Sequence, residues 1–147
     1  MEDKNGNELE GKIPGSAYSF LLNEGAMEDP YYRDNELEAL KLMDYDYTFY
    51  RQFELPHSMK KCSKILLRCD GLDTICEILI NGKKAGSAYN MHRIWEFDIT
   101  SLLMDGENEI KIIFKSPVKY IKEMLKLDYI GGSQHAMQGF PHIRKAH

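Results

Sequence analysis

Long apolar runs are missing from this sequence. No stretch approaches the ~20 consecutive apolar residues that a membrane-spanning helix needs, so a helical membrane protein is not expected. Excess positive charge is missing too. Nineteen Lys and Arg stand against 23 Asp and Glu, for a net charge of −4, and the lysines are scattered among acids. Without a basic stripe or a basic groove lined by aromatics, nucleic acid is not an expected partner. Cysteine is scarce, with only Cys62, Cys69 and Cys76. An odd count cannot pair completely, and it is too low for a disulfide scaffold. Their even spacing of seven puts neighbouring thiols on opposite faces of strand-like sequence, which does not suit a metal site. Read as reduced packing residues, they favour the cytoplasm. The first twenty residues are polar and lack the apolar core of a signal peptide. No GxSxG elbow and no phosphate-cradling glycine loop occurs, so no cofactor is expected.

What is present is a chain of 147 residues, 43% hydrophobic and 29% charged. That fits one domain, able to bury roughly 70% of its unfolded surface. Residues 1 to 12 are charged and glycine-spotted and read as a loose lead-in. After Pro14-Gly15, Ser16 is placed to cap a short helix carrying Tyr18, Leu21 and Leu22, and Gly25 ends it. A second short helix starts at about Asn35, with Leu37, Leu40 and Met43 on one side. From Asp46 the period becomes two. In "YTFYRQFEL", Tyr47, Phe49, Phe53 and Leu55 share a face that Arg51 interrupts. "KILLRC", "TICEILI", "KKAGSA", "IWEFDI" and "EIKIIFK" read as five further strands. Asn81-Gly82 is a strong hairpin signal, because both central residues of a type I′ turn need positive φ. Six strands at short spacing predict a mainly β protein, an antiparallel β-sandwich with short peripheral helices. Its core is expected at about 46–116. Within 117–147, "VKYIKEMLKLDYI" reads as an amphipathic helix, followed by a segment without a period.

Candidate chemistry is thin. His135, His142 and His147 have no helical i,i+4 spacing, so no metal site is expected. Asp70 and Asp73 flank Gly71-Leu72 and invite a reading as paired carboxylates. Two acids so close in a strand connection more often cap turns through backbone N–H groups. No catalytic residue is assigned. Asp34-Asn35 and the Asn90–Arg93 stretch fall in loops. Amides and guanidinium groups there offer donors and acceptors at fixed angles, which suits sugar hydroxyls and interdomain contacts equally.

Taken together, "IPGSAYSFLL", "DPYYRDNE", "YTFYRQFEL", "CDGLDTICEILINGKKAG", "NMHRIWEFDIT", "GENEIKIIFKSPV" and "GFPHIRKAH" resemble, in order, the N-terminus of β-mannosidases of glycoside hydrolase family 2. The resemblance runs from about Ile13 to His147. One departure is His92, where the family usually has an aromatic residue. The resemblance implies a jelly-roll, galactose-binding-like fold called the sugar-binding domain. It implies that an immunoglobulin-like sandwich and a TIM barrel follow, the barrel holding two catalytic glutamates of a retaining hydrolysis beyond His147. It also implies that Asn35, Asn90, Arg93 and Arg144 face the barrel or a β-mannoside in a shared pocket.

The function expected from the resemblance is therefore that of a sugar-binding scaffold domain, inactive without its barrel. Two other classes compete. A free carbohydrate-binding module would need an exposed aromatic platform, and the alternation of Trp95 with Phe97 and Ile99 points the only tryptophan inward. A self-associating interaction domain would use uncovered sheet edges, and predicts homo-oligomers through them.

Overall fold

The hairpin at Asn81-Gly82 organises the larger sheet. In the computed structural model, which describes residues 1–3 and 5–127, Asn81 and Gly82 have φ of 51° and 75°, as a type I′ turn requires. The turn joins β3 (Cys76–Ile80) to β4 (Lys83–Ala88) in antiparallel register, Ile80 opposite Lys83. A bulge at Ile78/Leu79 shifts that register, so that Ile78 faces Gly86 and Leu79 faces Lys84. On its other side β3 pairs antiparallel with β6 (Glu107–Phe114), Ile78 opposite Ile112. β1 (Tyr47–Glu54) flanks β6, giving the order β1-β6-β3-β4. The second sheet pairs β2 (Leu66–Cys69) with β5 (Trp95–Asp98), antiparallel, Leu67 opposite Phe97.

The chain divides into two compact units, Thr48–Phe114 and Met1–Tyr47 with Lys115–His147. The first unit holds the sandwich core. Cys76 and Ile78 are fully buried, with Leu67, Trp95, Phe97 and Ile112 packed on them. Ile65, Ile80 and Ile99 form a neighbouring cluster. The period-two stripes thus fill the space between sheets, as alternation predicts. The thiols correct one expectation. Cys69 packs against the cluster that contains Cys76, because the two lie on strands of different sheets rather than on one strand. Cys62 is exposed, so it is no packing residue.

In the second unit Ser16 caps α1 (Ala17–Asn23) in a full capping box with Ser19, and Phe20 and Leu21 are buried. The lead-in is not loose. Leu9 N–H donates to Met1 O at 2.7 Å, and both side chains are buried. α2 (Asn35–Leu42) also departs from expectation: it buries Ala39, while Leu37 and Leu40 are 56% and 40% exposed. Pro117 opens α3 (Pro117–Leu127), where a missing N–H costs nothing, and Val118 and Ile121 are buried. The Ser116 hydroxyl accepts from Lys119 N–H at 3.1 Å and donates to Met43 O at 2.6 Å.

Asp46 ties α3 to the segment after α2. Its carboxylate accepts from Ser116 N–H at 2.8 Å and from Lys115 Nζ at 3.1 Å. Burial pushes its pKa up, but the Ser116 N–H and the Lys115 and Lys119 ammonium groups outweigh that and hold it below the usual value. A folded-state pKa lowered in this way adds stability above the ordinary carboxylate range, lost as pH falls through the folded value. Asp46→Asn is therefore expected to be less stable than the parent at neutral pH, with the gap closing below about pH 4. Urea unfolding across that range checks it, and a gap that does not change with pH would refute it.

Candidate functional site

The loop from Ala88 to Trp95 gathers the most chemistry. Asn90 Oδ1 accepts from His92 N–H at 2.9 Å, an Asx turn that folds the loop back on itself. Asn90 O then accepts from Trp95 Nε1 at 3.0 Å. The Arg93 guanidinium lies 4.7 Å from the Trp95 ring centre, a cation–π contact. Tyr89, 68% exposed, meets Trp95 edge-on at 5.1 Å, and Phe97 lies parallel to Trp95 at 6.3 Å. Asn90 and Arg93 are thus brought together at Trp95. The Trp95 ring is engaged by Arg93, Tyr89 and Phe97, which leaves it unsuited as an open platform for a sugar ring. Sequence reasoning placed Trp95 inward but missed that it anchors this loop. The signal lay in an arginine two residues before a tryptophan in a strand-entry loop.

Asn35 belongs to the other unit and serves its own loop. Its Nδ2 donates to Asp29 O at 2.9 Å, while Asp29 Oδ1 accepts from Tyr31 N–H at 2.9 Å. These bonds hold a loop on which Tyr31 is 96% exposed and Arg33 takes a positive φ of 54°, with its guanidinium 5.1 Å from the Tyr32 ring. Arg144 and the three C-terminal histidines lie outside the described residues. Among the described residues no cluster of His, Cys, Asp and Glu suits a metal ion, and no helix is long and apolar enough to cross a membrane.

Four acids of the sandwich unit have local partners. Asp70 pairs with Arg68 Nε at 2.7 Å, and Asp73 accepts from the Thr74 hydroxyl. Glu77 pairs with Lys84 at 2.9 Å, and Asp98 accepts from the Thr100 hydroxyl at 2.6 Å. The Thr100 hydroxyl and N–H hold the Asp98 pKa down. A catalytic acid needs the opposite shift. A shallow pocket in the sandwich unit is lined by Leu55, Ile65, Leu103, Lys60 and Cys62, with Asp105 as the one carboxylate among its described residues. One carboxylate cannot supply the two roles of a glycosidase. Burial pushes the Cys76 thiol up to about 11 and raises that of Cys69, so both stay protonated and poorly nucleophilic at neutral pH.

Comparison with known proteins agrees with the sandwich architecture. A family profile described as "Glycosyl hydrolase 2 galactose-binding domain-like" matches residues 1–147. The chain is 37% identical to the β-mannosidase of Mus musculus over 79% of its length, which is 13% of that relative. It is 31% identical to a probable β-mannosidase of Caenorhabditis elegans over 77% of its length and 12% of that protein. Among solved structures, the β-D-mannosidase of Dictyoglomus thermophilum superposes with a TM-score of 0.80 and 35% identity, covering 84% of this chain and 16% of that one. By the profile match and by these identities, the chain belongs to the galactose-binding-like domain family of the family 2 glycosyl hydrolases.

Proposed function

We propose that this chain is the non-catalytic sandwich of a β-mannosidase-type glycosidase and does not cleave glycosides by itself. The observation that carries the reading is its identity of 37% to a β-mannosidase of which it spans only 13%. The local pairing of Asp70, Glu77 and Asp98 supports it, since a retaining glycosidase needs two carboxyls about 5 Å apart facing one sugar. In this reading those carboxyls belong to a catalytic barrel. The sandwich braces the barrel, and the loop of Asn90 and Arg93 contributes to a wall of a pocket for a β-mannoside. Arg93, whose guanidinium carbon lies 4.7 Å from the Trp95 ring centre, is the cation this loop offers to hydroxyl oxygens.

The purified chain is expected to release no product from an aryl β-mannoside above the buffer rate. Turnover that co-purifies with the chain through several orthogonal separations would overturn the proposal.

A further inference from the structure

The shallow pocket of the sandwich unit has no part in the function proposed above. It opens at one end of the sandwich, where the chain leaves β1 and β5 and enters β2 and β6. Its volume is about 200 Å³, that of roughly six or seven liquid waters. Its walls are held by bonds within the fold. Ile65 N–H donates to the Thr100 hydroxyl at 2.8 Å, and Ile99 N–H donates to Ile65 O at 3.1 Å. The buried Asn108 amide holds Met104 at both its N–H and its O. Met59 N–H donates to Pro56 O at 2.8 Å and Cys62 N–H to Met59 O at 3.0 Å, which turns the chain twice beside the pocket. The pocket is therefore formed before any ligand arrives, as small-molecule sites usually are.

The lining says what kind of ligand fits. Leu55 and Leu103 pack on the buried cluster of Ile65, Ile80 and Ile99, so the apolar wall continues the core. Met104, 54% exposed, adds a pliable side chain. Lys60 and Asp105 add one charge of each sign, and neither pairs with a described residue. The Thr100 hydroxyl is already engaged by Ile65 N–H and by Asp98. An aliphatic carboxylate would suit Lys60 but repel Asp105, and an alkylamine would do the reverse. A sugar ring would set its hydroxyls against aliphatic side chains and find no aromatic face among the described lining residues. A small zwitterion with an aliphatic body satisfies the wall and both charges.

We propose that this pocket binds a free aliphatic α-amino acid such as leucine. The ligand carboxylate meets Lys60, its ammonium meets Asp105, and its side chain lies on Leu55, Ile65 and Leu103. Both protein charges are exposed, where ion pairs are weak, so the affinity is in the millimolar range.

Cys62 lines the same pocket and is exposed, so its alkylation reports occupancy. Cys69 and Cys76 react slowly, because burial raises both thiols. Iodoacetamide labelling of the full chain at neutral pH, read by peptide mass spectrometry, is compared with and without leucine. For a Kd of about 1 mM, about 10 mM leucine is expected to slow Cys62 labelling roughly tenfold, by one plus the ratio of free ligand to Kd. Isocaproate and isoamylamine carry the same branched aliphatic end with one charge each, and are expected to slow it by less than about twofold. Lys60→Gln and Asp105→Asn are each expected to abolish the protection, while Lys84→Gln, outside the pocket, keeps it. The rates with and without leucine are compared within each variant, so a change in thiol reactivity cancels. Labelling unchanged by leucine, equal protection by either singly charged analogue, or protection that survives both pocket substitutions would overturn the proposal. No glycosidase activity is read, so this outcome stands apart from the aryl mannoside assay.

Discussion

Gly86→Val is expected to destabilise the sandwich by about 3 kcal/mol, the upper end of the usual cost of overpacking a core. A Cβ at Gly86 would fall against Cδ1 and Cε1 of Phe97, well inside van der Waals contact. The ring has little freedom to retreat. It lies parallel to Trp95 at 6.3 Å and packs against both buried clusters of the sandwich. Tight packing transmits such a clash rather than absorbing it. Urea unfolding gives the magnitude, and a double-mutant cycle gives the cause. Gly86→Ala and Phe97→Ala together should cost less than the sum of the two, with a coupling of about 1–2 kcal/mol. Additive costs would mean that the ring is not what excludes a side chain at Gly86.

Asn108→Ala is expected to cost about 4 kcal/mol, because it removes a buried side chain and strips partners from three part-buried backbone groups and the Asn81 amide at once. Asn108 is 1% exposed. Its Oδ1 accepts from Met104 N–H and from Asn81 Nδ2, both at 2.8 Å. Its Nδ2 donates to Met104 O at 3.1 Å and Gly106 O at 3.0 Å. Asn81 extends the network, donating to Leu102 O at 2.8 Å and accepting from Glu109 N–H at 2.9 Å. One amide therefore fixes the turn into β6, and a second joins that turn to the β3–β4 hairpin. Calorimetry on Asn108→Ala checks the size of the effect, and a loss under about 1 kcal/mol would show that water replaces the amide at little cost.

The sandwich was legible because its signals are local and periodic. Trp95, Phe97 and Ile99 alternate inward in sequence and in space, and Asn81-Gly82 encodes its turn through two positive φ values. Ser16 likewise announces α1, because the capping bond spans only three residues. What escaped the sequence depends on partners distant in the chain. Asn108 reads as one more polar residue before a strand, and only the arrival of Asn81, 27 positions earlier, makes it a core residue. The spacing of Cys69 and Cys76 argues for opposite faces only if one strand carries both, and each is on a different sheet. The period of α2 put Leu37, Leu40 and Met43 on one side, yet the residue this helix buries is Ala39. Of the candidate residues, Asn90 and Arg93 were singled out from loop chemistry. Their convergence on Trp95 needed the fold.

The Asn81 network has a consequence for how this protein ages. An Asn-Gly pair is chemically fragile, because a following glycine lets its backbone nitrogen attack the side-chain carbonyl and close a succinimide with loss of the side-chain nitrogen as ammonia, and water then opens the ring to aspartate or isoaspartate. Here the Asn81 amide is clamped at both ends, by Leu102 and Asn108 on nitrogen and by Glu109 on oxygen. Ring closure must first break that clamp, so isoaspartate at this position accumulates only in molecules whose hairpin has opened. The turn thereby keeps a covalent record of transient unfolding.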